Sequence, residues 1–198
     1  MTVQTLTPIA LKEWAVAVEA LAEGKQILLM RKGGIHEETR HFQVQADAFF
    51  LYPTYEHQQE QADLVKPEYQ DRLQETMKEW NPEAQTNTVK YFASLAEDIE
   101  ISDEEALHRL SSFHIWVPDF AVKRLKWKRK QPLHLLLVRT YRLERPLEVP
   151  ILEEYLGCRS WIRLPEELIR ETSAAEPVLS DAEFEQQVRE IKQALGRA

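Results

Sequence analysis

Hydrophobic positions recur along this chain with two different periods, and the switches between them mark its elements. Leu11, Trp14, Ala15, Val18, Leu21 and Ala22 follow helical spacing behind Thr7-Pro8, a capping residue and a proline suited to the first helical turn. A helix is therefore expected to run from there to Gly24, which closes it from the C′ position. Gln26 to Arg31 reads as a short apolar strand. Beyond Gly33-Gly34, the alternation Phe42, Val44, Ala46, Ala48 runs into Phe49-Phe50-Leu51-Tyr52 and predicts a second strand paired with the first. Pro67 opens a second helix, striped by Tyr69, Leu73, Met77 and Trp80 and ended by Asn81-Pro82.

In the second half, Val89, Tyr91, Ala93 and Leu95 alternate as a strand does. Ser102 with Glu105 forms a capping-box pattern ahead of Ala106, Leu107, Leu110 and Phe113, predicting a third helix, and Pro118 opens a short fourth one. Leu133 to Leu143 is apolar on both faces through Val138, the mark of a central strand, and Arg159 to Leu164 reads as a further strand. Glu171 to Leu179 is polar and holds Pro177, so a linker is expected there. Ser180 and Glu183 then cap a helix striped by Phe184, Val188, Ile191 and Leu195, which must pack on the body or on another subunit. Interleaved helices and strands make the expected class α+β: a mixed, mainly antiparallel sheet, or a partly closed barrel, packed with helices. Residues 1–170 form one domain in this reading, and residues 171–198 a linker with a C-terminal amphipathic helix.

Composition changes this picture little, but charge changes it more. Of 198 residues, 43% are hydrophobic and 29% charged, an ordinary globular balance. No stretch approaches membrane-spanning length, no export signal stands at the N-terminus, and the single cysteine, Cys158, points to a reducing cytosol. The net charge of −8 argues against a polyanionic partner until its distribution is considered. Residues 121 to 145 hold nine Lys/Arg against Glu144 alone, so this segment carries +8 and the remainder −16.

That segregation directs the search for chemistry. Lys123 to Lys130 places six cations around Leu125 and Trp127, followed by Arg139, Tyr141 and Arg142; cations neutralise phosphates while aromatics offer faces for bases. Lys126, Trp127, Lys128, Arg129 and Arg139 are the candidate contacts, with RNA or DNA as the partner. The competing reading pairs the same cations with an acidic protein or with the chain's own acidic helices. Two of only five glycines stand together at Gly33-Gly34, beside Arg31, Lys32 and His36, and form a turn that presents charge to a phosphorylated ligand. Tyr52-Pro53-Thr54-Tyr55-Glu56-His57 follows an apolar strand, where Tyr55 and His57 are placed to bind a ligand or shuttle a proton.

Metal chemistry finds less support. His36 and His41 are five apart rather than four and would not converge on one helix face, so no metal site is assigned. Glu23-Gly24-Lys25 has the Glu-x-Lys spacing of metal-dependent nucleases without an upstream Asp; with a His36/Tyr55/His57 cleft, it keeps hydrolysis as a further alternative. Neither a P-loop nor a dinucleotide fingerprint is present, and no cofactor is named.

Two resemblances follow from these residues. Gly24 and Arg31 match the spacing of the ASCH signature within the PUA-like barrels, with Gln26 and Leu29 where that signature has lysine and glutamate. It implies an RNA- or nucleotide-binding barrel with Arg31 beside the cleft, and the signature's carboxylate is missing. The blocks Leu11 to Leu21, Ile27 to Glu38, Phe50 to Gln58 and Pro132 to Arg139 resemble a bacterial, often cyanobacterial, family known as domain of unknown function 1802. That resemblance spans most of residues 8 to 165 and implies one soluble domain, with no catalytic residue assigned.

Overall fold

The computed structural model describes residues 7–32, 43–127, 132–157, 159–170 and 175–197. Gly33-Gly34, His36, His41, Lys128, Arg129, Lys130 and Cys158 lie outside them. Seven strands form one sheet, β1 (Ile9–Trp14), β2 (Leu28–Arg31), β3 (Ala48–Thr54), β4 (Thr86–Ile101), β5 (Leu133–Pro150), β6 (Trp161–Arg163) and β7 (Ala175–Pro177). Their order is β2-β5-β4-β3-β1-β6, with β7 also on β5, so the sheet is open rather than closed into a barrel. All pairings are antiparallel except β1 with β3, which run parallel from Ala10 opposite Phe50 to Trp14 opposite Thr54.

The helices are α1 (Ala15–Ala22), α2 (Glu56–Glu60), α3 (Gln70–Glu79), α4 (Glu104–Arg109), α5 (Pro118–Lys126), α6 (Glu166–Arg170) and α7 (Asp181–Ala194). The first expected helix is thus shortened, because Ile9–Trp14 is a strand. Ala10 and Leu11 point to opposite faces and are both fully buried, and β3 and β6 supply pairing on both edges. Burial on two faces with two paired edges outweighs the helical spacing of the same residues. Only Ala15–Ala22 remains helical, and it is buried almost all round, feeding Val16, Ala17 and Ala20 to one core cluster and Val18, Leu21 and Ala22 to another.

Three further expectations are corrected. β2 and β3 do not pair, since β5 and β4 stand between them in the sheet. Asp103, rather than Ser102, caps α4, its carboxylate accepting from the Ala106 N–H at 2.8 Å. Within the expected linker, Ala175–Pro177 is a strand on the edge of β5. The long β5 serves as the axis of the sheet, as its apolar run requires, with β2 on one half of its edge and β7 on the other.

The C-terminal helix belongs to the same core. Phe184 and Ile191 are buried there with Val188 and Leu195 packed alongside, so the stripe meets the body. Ser180 and Glu183 form the expected capping box. The seat of α7 includes the end of α1. Gly24, at φ +67°, closes α1 by the paired Gly24 N–H to Leu21 and Lys25 N–H to Ala20 bonds, and its carbonyl accepts from Gln187. A Cβ there would meet Leu179 Cδ2 at 2.6 Å, so any other residue would push that side chain aside and hold a positive φ that favours glycine.

Candidate ligand-binding cleft

β1 and β3 deliver their C-terminal ends to one place, and a cleft of about 470 Å³ opens there. Its size suits a single nucleotide-sized ligand. Five elements build it: the ends of β1 and β3, one face of α1, the last turn of α3, and the start of β4, with Ile151, Tyr155 and Leu156 at the rim. Tyr52, Tyr55, Trp80, Tyr91 and Tyr155 line it with Asn81, Asn87, Thr54 and Thr88. Tyr55 and Trp80 lie stacked, 6.1 Å between centroids at 8°, and Tyr52 and Tyr155 meet edge-on at 6.0 Å.

Local chemistry holds this wall in place. Trp14 offers α1 no side-chain cap, so the Val16 N–H needs an outside acceptor, and the fully buried Gln58 of α2 supplies it at 2.8 Å. The Gln58 amide also donates to Thr76 on α3 at 2.7 Å, which fixes the segment carrying Tyr55 between two helices. Trp80 leaves the helical path at the end of α3, with ψ 127°, and its ring turns to Tyr55 instead of joining the core with Tyr69 and Met77. Lys12 donates to the carbonyls of Tyr155 and Gly157 at 2.6 and 3.0 Å, tying the rim to β1.

The cleft is close to neutral, with Lys12 and Lys90 against Glu19, Glu56 and Glu79. Lys90 pairs with Glu79 at 3.1 Å and Glu19 with Arg72 at 3.0 Å. Burial raises the Glu19 carboxyl above its ordinary range, opposed by Arg72 and Lys90. Burial, with Glu79 and Glu19 beside it, pushes the Tyr55 hydroxyl up to about 12, so it is neutral near pH 7.

The other candidate residues are scattered. His57 is exposed, 3.7 Å from Glu60, and does not line the cleft that Tyr55 lines. Arg31 and Lys32 are buried rather than presented: Arg31 pairs with Glu13 at 3.2 Å, and Lys32 donates to the Leu125 carbonyl. Lys126 pairs with Glu104 at 2.8 Å, Arg139 pairs with Asp181 at the foot of α7, and Trp127 is 43% exposed at the end of α5. His36, Lys128 and Arg129 are outside the described residues. The described cations of the basic segment are therefore turned to different partners. Among them, Arg142 lies over the ring of Tyr91, a residue of the cleft, 5.9 Å from its centroid.

Of the residues lining this cleft, the sequence pointed to Tyr55 as a ligand contact and not to Trp80, Tyr91, Tyr155 or Asn87. Trp80 stood in an apolar stripe, and only the Asn81-Pro82 stop signalled that its ring could leave the helix.

An open, mainly antiparallel sheet with helices packed on it and a cleft at the ends of its parallel pair defines an α+β domain. The chain belongs to the family described as domain of unknown function DUF1802, whose model matches residues 10–190. Among solved structures it is similar to the ASCH protein of Zymomonas mobilis, at 14% identity and a TM-score of 0.45 over 82% of this chain and 90% of that one. It is likewise similar to a mutant of that protein, at 13% identity and a TM-score of 0.47 over 83% and 98%. No curated protein matches the sequence. Among the described residues, no helix is long and apolar enough to cross a membrane.

Proposed function

We propose that this protein binds single-stranded RNA or DNA, seating one base in the cleft against the Tyr55–Trp80 stack. The observation that carries the reading is that stacked pair, half-buried and opening onto about 470 Å³. Stacked aromatics with neutral amides and hydroxyls beside them suit a planar heterocycle with polar edges, whereas a near-neutral lining does not suit phosphate. Phosphates on either side of the base would be met by cations outside the cleft, Arg142 first among them. A cytoplasmic location accompanies this reading, since a lone cysteine needs no oxidising compartment.

Fluorescence anisotropy with labelled oligonucleotides, titrated with salt, tests the proposal. Binding should weaken as salt rises, because counterions are released from neutralised phosphates. Tyr55→Ala and Trp80→Ala should each weaken binding by about tenfold, the effect of losing one stacked base, and leave the salt slope unchanged. An oligonucleotide with an abasic position should lose as much. No binding at low salt, or binding indifferent to both substitutions, would rule the cleft out.

A further inference from the structure

The hydrogen bonds inside the cleft wall decide which polar groups are left for a ligand. Asn87 donates from Nδ2 to the Pro53 carbonyl at 2.8 Å, and a side-chain hydrogen bond from the same residue tempers the rise that burial gives the Tyr52 hydroxyl. These bonds fix the orientation of the amide, with its nitrogen spent on the protein and its oxygen not. Among the described residues, Asn87 Oδ1 meets no donor and is not shut away from water, which leaves it open to the cleft that Asn87 lines.

The threonines of the wall spend their hydrogens in the same way. Thr54 donates to the Glu13 carbonyl at 3.1 Å, while Thr86 and Thr88 donate to the two carboxylate oxygens of Glu148 at 3.2 and 2.9 Å. Tyr155 gives its hydrogen to the Arg163 carbonyl at 2.8 Å. What these hydroxyls can still offer is a lone pair. The hydroxyls of Tyr52, Tyr55 and Tyr91 can donate or accept by rotating, so they follow a ligand rather than select one. Asn81 is the opposite of Asn87: its Oδ1 accepts from the Glu83 N–H at 3.0 Å, which leaves its amide nitrogen as a donor at an exposed position of the cleft.

A fixed acceptor is satisfied by an N–H and left unpaired against a carbonyl oxygen. Adenine, cytosine and guanine each carry an exocyclic amino group, whose two N–H bonds suit a wall of this kind. Uracil and thymine instead set carbonyl oxygens on both sides of one ring N–H, and would bring lone pairs against lone pairs. We infer that the cleft selects a base bearing an exocyclic amino group, with Asn87 as the residue that determines this specificity. The inference rests on the nucleic-acid reading above and names the kind of base that the Tyr55–Trp80 stack receives.

Cytosine and uracil give the sharpest comparison, because they match in size and differ in the amino group that replaces a carbonyl. In fluorescence anisotropy at neutral pH and one salt concentration, oligo(C) should bind about tenfold more tightly than oligo(U) of the same length, the worth of about one hydrogen bond made or missed. Replacing cytosine by pyrimidin-2-one, which keeps the ring and lacks the amino group, should abolish that advantage. Asn87→Ala should weaken oligo(C) about tenfold, leave oligo(U) unchanged and bring the ratio close to one. Should N87A fail to fold, the pyrimidin-2-one oligonucleotide carries the same test on the wild type.

Equal binding of oligo(C) and oligo(U), or tighter binding of oligo(U), overturns the selectivity even where Tyr55→Ala and Trp80→Ala show that the cleft seats a base. A cytosine preference that N87A leaves intact overturns the assignment to Asn87. Absence of binding to either oligonucleotide at low salt removes the base cleft itself and this inference with it, so the two failures are read separately.

Discussion

His114 shows how a single residue can set the acid limit of this fold. Its ring is 1% exposed, with Nδ1 accepting from the Trp116 N–H at 3.2 Å and Nε2 without a partner. Burial, with the Lys66 ammonium nearby, lowers it from 6.5 to about 4, so the folded protein holds it neutral. Between those values the unfolded chain binds the extra proton and the folded one does not. Stability is therefore full above pH 6.5 and lost as the pH falls toward 4, by about 3 kcal/mol in all at 1.36 kcal/mol per pKa unit. His114→Asn, which keeps an acceptor for the Trp116 N–H but does not titrate, should flatten this part of the curve. Urea melts at successive pH values would show it, and an unchanged slope would remove His114 as the cause.

At the scale of elements, α2 is five residues long, yet it places the cleft wall. Its Gln58 is the outside cap of α1 and the tie to α3. Gln58→Leu leaves the Val16 N–H and the Thr76 hydroxyl without these partners, and a buried polar group left unmade costs about 1–3 kcal/mol. A fall in denaturation midpoint together with weaker oligonucleotide binding is expected; lost stability with binding intact would mean that Tyr55 is held by other contacts. This element also marks where the sequence was hard to read. α3, α5, β4, β5 and α7 were legible because each carries its own period and punctuation. β1 was not, since a strand buried on both faces needs no alternation and six residues cannot separate that from a helical stripe. α2 was not either, for Glu56-His57-Gln58-Gln59-Glu60 has no apolar face and is held by a buried glutamine. The cleft drew on segments between residues 12 and 156, so its aromatics could be seen one at a time but not as a set.

For the whole molecule, the attachment of α7 decides whether the chain unfolds as a unit. The helix joins the largest apolar cluster through Phe184 and Ile191, whereas its ion pair from Arg139 to Asp181 has an acid that is 68% exposed. Apolar burial should therefore dominate. Ile191→Ala is expected to cost about 2–5 kcal/mol, as other buried isoleucine truncations do, and Asp181→Asn no more than about 1 kcal/mol. Circular dichroism and tryptophan fluorescence should report one coincident transition in denaturant for both variants. Since α7 itself contains no tryptophan, a transition seen by dichroism before fluorescence would show the helix leaving on its own.

The position of β1 also bears on how the protein is made. One edge of this strand is taken by β3, which is synthesised soon after it, but the other is taken by Trp161–Arg163. Until those late residues are available, a growing chain displays a strand with unpaired donors and acceptors along one side, the kind of edge that recruits neighbouring chains. Conditions that slow or interrupt synthesis between residues 54 and 161 should thus favour aggregation of the nascent protein, even though the finished one leaves that edge covered.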